Sequence, residues 1–448
     1  MAAYVGLWSA NCDLHLSLPE LLAERGLGVV ALPPDSPQPL LDHYVRLGAL
    51  RALICDAPHA VLARQWQCRL PCIEIAPQAR SHEVAATLAA AAPAAAGETP
   101  ARLLFSSGTS GLPRAVLRPA GADHYRMRQF IERFDLHAGL HHIVAGPLYH
   151  SGPAIFARTH RQLDCPMTIF DHFDAGRLLS MLARTDQAIY SVFLVPVQLH
   201  RLEQARHAAG LSWSVYDSIA RLWVAGSRCE PELKLSMAGH LQPGRMWEFY
   251  GATETGTITI QNQDEMTARP GSVGRPVPGV RLQIRDAQGH ALTPGHTGRL
   301  WVASPMNAQA VLGTPALEQD GLGYLCLGDC GWLDAEGYLY LTGREADMLI
   351  SGGVNVYPAQ VEDALRQIPE VAQALAFGLP DERWGDRIEA LVVADGNPQD
   401  TQAVQARLRQ LLPAAARPKR LHWVDELPLT VSGKPDRLAA RKWALNVL

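Results

Sequence analysis

Lysine is nearly missing from this chain. Lys234, Lys419, Lys434 and Lys442 are its only lysines, and arginine supplies the rest of the 40 basic residues. Basic charge is not in excess either: 44 acidic residues leave a formal net charge of −4. Without a broad positive field, nucleic-acid binding is not expected as the main activity. Long apolar runs are absent too. One of the longest, residues 191–199, is too short and too interrupted to span a bilayer. The opening MAAYVGLWSANCD has no basic stretch followed by an apolar core, so no secretory signal is expected. Eight cysteines are present without a C-x-x-C pair, and the close pairs Cys68/Cys72 and Cys326/Cys330 have no histidine at a ligand-like offset. The expectation is therefore reduced, structural thiols and a cytoplasmic location, not a disulfide framework.

What is there is the composition of a globular protein. Hydrophobic residues make up 48% and charged residues 19% of 448 positions, a length that suits two or three domains. Residues 4–34 read as strand, helix, strand. Within them RGLGVVA contains G-x-G-x-x-A, but Gly26 and Gly28 follow a helix and open a strand. That is the reverse of a dinucleotide fingerprint, so we read a helix end. Residues 39–50 read as a helix, 52–55 as a buried strand, 84–97 as a helix running into a connection, and 102–105 as a strand. Helical patterns at 175–184, 196–209 and 230–239 alternate with apolar strands at 189–195 and 221–225, which predicts α/β layers on a largely parallel sheet. From Ser272 the short alternating strands VRLQIRD, GRLWVAS and GYLYLTG predict a β-rich subdomain. Beyond Arg344 a helix (358–367), two strands (371–378, 388–394) and a second helix (402–412) predict a small α+β domain.

Four strings carry residue types suited to chemistry. In LLFSSGTSGLPRAV an apolar strand runs into Ser106, Ser107, Gly108, Thr109, Ser110 and Gly111. Glycines let N–H groups turn inward and hydroxyls add donors, which suits a phosphate cradle. The spacing is not that of a Walker A loop, and a plain Ser/Gly turn is the alternative. In FYGATETG, Tyr250 is placed to stack on a base, Thr253 to bond a phosphate, and Glu254 to hold magnesium on phosphate oxygens; an ordinary polar loop is the alternative. In LCLGDCGWLDAEGYLYLTGR, Asp329 ends a strand and suits a ribose diol, unless it is only a strand-end acid. In LPLTVSGKPDR, Lys434 sits in a Ser-Gly-Lys turn, where a solvated surface charge is the usual reading.

Taken in order and at this spacing, these strings, together with MLISGGVNVYPAQVE, resemble the signatures of the adenylate-forming superfamily: acyl-CoA synthetases, adenylation domains of peptide synthetases, and luciferases. The resemblance runs over nearly the whole chain from Tyr4. It implies an α/β fold with a large N-terminal domain of stacked α/β subdomains plus a β-rich subdomain (residues 1–345), and a small mobile α+β C-terminal domain (346–448). It implies ATP and Mg²⁺ as cofactors, an acyl-AMP intermediate, and then a thioester formed with CoA or with the phosphopantetheine of an acyl carrier protein. By resemblance, Lys434, Glu254, Thr109 and Arg344 are catalytic, and Asp329 takes the ribose hydroxyls. Ser106 to Gly111, Arg114, Thr253, Arg344 and Lys434 meet the phosphates, while Gly226, Ser227 and Tyr250 flank the adenine and Gly251 also belongs to the nucleotide site. His150, Ser151 and Gly251 line the acid, Gly352 and Gly353 leave a channel for pantetheine, and Ala346 and Asp347 form the hinge.

GPLYHSGP puts His150 where amino-acid-activating members carry an aspartate for the α-ammonium, so an amino-acid substrate is not expected. AGSRCEPELK and WEFYGATE resemble the fatty, aryl and bile-acid-type CoA ligases. Four positions depart from the family pattern. Pro113-Arg114-Ala115 replaces Pro-Lys-Gly, Ala346 replaces the usual Asp or Lys of the hinge, and Arg299 stands where Glu is common. The first strand also matches a region that most members reach only after several dozen residues, and in them the part before it usually helps pack the first subdomain. The expected function is thus activation of a fatty, acyl or aryl acid followed by CoA thioester formation. The alternatives are loading of a small acid onto a carrier protein, and a weakly catalytic member acting as a binding protein. A homodimer is compatible with the sequence.

Overall fold

The structure, a computed structural model, describes residues 3–65, 70–76, 79–91, 101–106, 113–184, 188–313, 317–396, 401–429 and 435–447. The chain divides into two compact units, one of Met1–Arg281 with Val302–Leu325 and one of Leu282–Trp301 with Cys326–Leu448.

The first unit is built on three sheets. A four-stranded parallel sheet runs in the order Leu27–Leu32, Ala3–Trp8, Leu50–Asp56, Cys72–Ile75. The second sheet has seven strands. Its middle is parallel, with Met246–Ala252, Ile219–Val224, Ile189–Leu194, Leu140–Val144 and Met167–Ile169 side by side. Gly256–Asn262 and Arg275–Pro276 add an antiparallel edge. Strands covered by helices on both faces should read as apolar runs and not alternate. IARLWV and IYSVFL do so, with five of six residues buried in each. Prolines at the first turn open the helices Pro196–Ala208 and Pro231–His240 with φ already set. Between the sheet and its helices lies an aromatic core in which Phe156 stacks on Trp223 (4.3 Å), Phe130 (4.8 Å) and Phe249 (5.5 Å). Each such pair adds ~0.5–1.5 kcal/mol beyond area burial. The third sheet is an antiparallel set in the order Ala310–Leu312, Arg114–Arg118, Arg102–Ser106.

In the second unit the strands Arg281–Arg285, Gly298–Ala303, Leu325–Leu333 and Leu339–Arg344 make the β-rich sheet expected from Ser272 onward. A further sheet joins Val354–Val356, Leu349–Ser351, Gly385–Ala394 and Val371–Asp381, with Arg420–Trp423 also on Gly385–Ala394, and packs under the helices Pro358–Arg366 and Thr401–Leu411.

Two expectations need correcting. The helix read over 39–50 spans Gln38–Leu47, because Ala49 takes φ 47° and Leu50 opens the next strand. Not every described cysteine is a buried structural thiol: Cys72 is exposed on an edge strand, with its Sγ 3.3 Å from that of Cys55. Among the described residues no helix is long and apolar enough to cross a membrane.

Candidate active site

In an open parallel sheet, ligands bind beyond the carboxyl ends of the strands. Several candidate residues of the first unit follow those strand ends. His150 and Ser151 follow strand Leu140–Val144, as N-cap and first residue of the helix Ser151–Gln162. Gly226 and Ser227 follow Ile219–Val224, and Tyr250 and Gly251 close Met246–Ala252. Gly226 takes φ 99°, and a Cβ there would lie 3.0 Å from Val195 Cγ1, so the ends of two adjacent strands approach closely. Gly251 faces Thr257 across a hairpin in which its Cβ would come 2.3 Å from the Gly256 carbonyl oxygen. No other residue fits that turn.

Thr253 and Glu254 lie in the hairpin loop. The loop is pinned from behind: Ala308 N–H donates to the Glu254 carbonyl (2.7 Å) and Ser304 Oγ to the Thr255 carbonyl (3.1 Å). The Glu254 carboxylate meets Ser106 Oγ at 3.5 Å, across 148 positions of sequence. It makes no ion pair among the described residues. Arg114, opposite Ser106 in the strand pair, has a buried Nε without a hydrogen-bond partner among the described residues. Ser107, Gly108, Thr109, Ser110 and Gly111 lie outside the described residues, as does Lys434.

These groups fit a nucleotide and its cation. Among the described residues no set of three or more His, Cys, Asp or Glu could hold a metal ion by itself. A single carboxylate beside a hydroxyl, with no ion pair among the described residues, suits Mg²⁺, which keeps waters and binds through one or two carboxylates plus substrate phosphates. The unpartnered Arg114 Nε is a donor with capacity to spare for an anion.

The second unit brings Asp329 and Arg344 together. They are paired across adjacent strands, and Arg344 Nε donates to Asp329 Oδ1 at 3.1 Å. Asp329 is buried and Arg344 exposed, so the carboxylate is held while the guanidinium faces solvent. Ala346 and Asp347 follow in the short turn Glu345–Asp347. Glu345 pairs with Arg299 (3.1 Å), and Asp347 stands 4.0 Å from Arg437. The unexpected Arg299 therefore has an acid to meet. Gly352 and Gly353 form the hairpin turn between Leu349–Ser351 and Val354–Val356 with φ of 57° and 76°, and the Trp384 ring packs beside Gly352.

Three groups escaped the sequence reading. Asn11 Nδ2 donates to the Gly146 carbonyl (3.0 Å) and Oδ1 accepts from Leu148 N–H (2.9 Å), fixing the segment that leads to His150. Lys234, buried, spends all three protons on Glu248 (2.6 Å), Gln261 (3.1 Å) and the Ser272 carbonyl (3.0 Å), behind the strand carrying Tyr250. Asp123 accepts from Arg102, Arg118 and Arg158. Burial pushes the Asp123 pKa up, but the charges of Arg102, Arg118 and Arg126 outweigh it and hold the carboxyl below its usual range. Lysine scarcity was the one available signal for Lys234. Nothing local marked Asn11 or Asp123.

The AMP-binding enzyme family matches residues 5–312, and the AMP-binding enzyme C-terminal domain matches residues 360–434. An indoleacetate–CoA ligase of Aromatoleum aromaticum is 33% identical over 346 residues, covering 75% of this chain and 66% of the relative. A fatty acid–[acyl-carrier-protein] ligase of Streptomyces coeruleorubidus is 28% identical over 350 residues, again covering 75% of this chain and 66% of the relative. The chain thus spans just under two thirds of either relative's length. Among solved structures, an amide bond synthetase of Marinactinospora thermotolerans superposes with a TM-score of 0.86 at 25% identity, covering 99% of this chain and 90% of that one. The α/β architecture expected from the resemblance is borne out by that superposition. From the ordered signatures, the strand-end loops that carry them and the two matched family segments, the chain belongs to the AMP-binding enzyme family, within the adenylate-forming superfamily.

Proposed function

We propose that this protein activates a carboxylic acid with ATP and passes the acyl group to a thiol. In the first half the acid's carboxylate oxygen attacks the α-phosphorus, the bond to the β-phosphate bridging oxygen breaks, and acyl-AMP and pyrophosphate form. In the second half the thiol sulfur attacks the acyl carbon, the acyl–phosphate bond breaks, and AMP and a proton leave. The observation that supports this reading is the meeting of Ser106 and Glu254 at 3.5 Å beside the strand-end loops, a hydroxyl next to a carboxylate that makes no ion pair among the described residues, since open parallel sheets bind ligands beyond the carboxyl ends of their strands. The names of the relatives support CoA as the thiol.

The first half brings anions together, so it needs donors preset at the developing charge. Ser106 to Gly111 and Arg114 supply them around the phosphates, and Lys434 joins the acid to the α-phosphate. Mg²⁺ at Glu254 neutralises phosphate charge when bound. Asp329 takes the ribose hydroxyls and positions Arg344; Thr253 bonds a phosphate, and Tyr250, Gly226 and Ser227 flank the base. His150, Ser151 and Gly251 border the acid. Residues 1–345 and 346–448 act as two domains that turn about Ala346 and Asp347, after which Gly352 and Gly353 admit pantetheine. The Streptomyces relative favours a second reading, in which a carrier protein supplies the pantetheine.

ATP–pyrophosphate exchange over a panel of acids tests the first half. AMP release with CoA, a phosphopantetheinylated carrier protein, or an amine separates the acceptors. Lack of exchange with every acid would leave only a binding role.

A further inference from the structure

Arg126 lies in the helix Ala122–Phe134 and is 7% exposed. Its guanidinium joins two segments that border the proposed acid site. Nε donates to Thr257 Oγ1 at 2.9 Å, and Nη1 to Ser151 Oγ at 3.4 Å. Ser151 opens the helix behind His150, and Thr257 is the residue directly opposite Gly251. Both acceptors are neutral. The nearby carboxylate, Asp123, is already taken: Oδ1 by Arg118, Oδ2 by Arg102 and Arg158. Arg126 makes no ion pair among the described residues. Its other neighbour is the Phe130 ring, 5.2 Å from the guanidinium carbon.

A buried guanidinium whose acceptors among the described residues are hydroxyls is an expensive way to join two segments. Burial, then the like charge of Arg118, lowers its pKa to about 9, only partly offset by Asp123. A neutral amide could bridge the same hydroxyls without that desolvation. The cost makes sense if an anion arrives. The first N–H groups of the helix Ser151–Gln162 have no intrahelical acceptor and add a favourable field at the same point.

We infer that the acid this protein activates carries a second carboxylate, and that Arg126, with Ser151 and the start of its helix, receives it. The substrate class is thus the dicarboxylic acids, with one carboxylate activated and the other held. This inference rests on the proposed acid-activating function and on the acid lying between Ser151 and Gly251.

Matched pairs of acids in ATP–pyrophosphate exchange test it: hexanoate against adipate, phenylacetate against 2-carboxyphenylacetate, and 4-oxo-4-phenylbutanoate against 2-succinylbenzoate. The expected result is a preference for the diacid of at least one pair of about 10- to 100-fold in kcat/KM, the range of one charge-assisted contact. Arg126→Gln should erase that preference by raising the diacid KM far more than the monoacid KM, and Arg126→Lys should restore part of it. A monoacid preference in every pair, or a diacid preference unchanged in Arg126→Gln, overturns the inference and leaves Arg126 as a clasp. If both variants fail to fold, the unmodified protein's preference across the pairs still decides. Exchange with no acid at all overturns the proposed function, and this inference with it.

Discussion

The buried pair Lys234–Glu248 offers the sharpest test of how the strand carrying Tyr250 is held. Lys234 is 2% exposed and Glu248 3%, and Nζ has three acceptors at 2.6–3.1 Å, which is all an ammonium can use. Lys234→Met keeps the stem's volume but strands the carboxylate. Breaking one side of a buried pair typically costs ~3–5 kcal/mol, because the remaining charge has no partner. At roughly 2 °C per kcal/mol for a large domain, Tm should fall by roughly 5–10 °C. The loss should also depend on pH. Burial already pushes the Glu248 pKa up and Lys234 holds it back, so removing the lysine lets it rise further. A carboxyl with a raised folded pKa is least costly when protonated. Its penalty is therefore small near pH 4.5 and grows as pH rises toward the folded pKa. Thermal denaturation of Lys234→Met should show a smaller deficit against the parent at pH 5 than at pH 7.5. Adding Glu248→Leu should recover most of the loss, as replacement of a whole buried pair often does. A Tm within 2 °C of the parent at both pH values, or no recovery in the double variant, would refute the reasoning.

Glu254→Gln should cut ATP–pyrophosphate exchange by ~10²–10³-fold and leave Tm nearly unchanged, since the side chain's hydrogen bond is a long one to Ser106; normal exchange with normal Mg²⁺ dependence removes the metal role. His160 shares Ser191 with His142, and burial lowers its pKa to about 4. A depressed histidine contributes stability that is complete above about 6.5 and lost as pH falls toward 4, up to about 3 kcal/mol. Denaturant unfolding at pH 7.5, 6 and 5 should show that decline together with the contributions of His15 and His142, which burial also depresses, and His160→Gln should lessen it without abolishing it. Lys434→Ala should slow acyl-AMP formation ~10²–10³-fold while sparing thioester formation from supplied acyl-AMP; equal loss in both halves would argue for a structural role.

The chain's local signals settled a great deal. Prolines at helix starts, glycines at the Gly352–Gly353 turn, and apolar runs such as IARLWV act within a few residues of themselves, so their meaning survives in a linear reading. The order and spacing of the signature strings did the same for the family. The contacts that define the site are of another kind. Ser106 reaches Glu254 across 148 residues, and Arg126 reaches Thr257 across 131 and Ser151 across 25. No period or motif encodes such pairings, because a parallel sheet brings its strand ends together only once every crossover has been made. Nothing local in the sequence marks Arg126. Only the packing of its helix shows that it is buried, that Asp123 is already occupied, and that its guanidinium meets Ser151 at the start of the helix Ser151–Gln162.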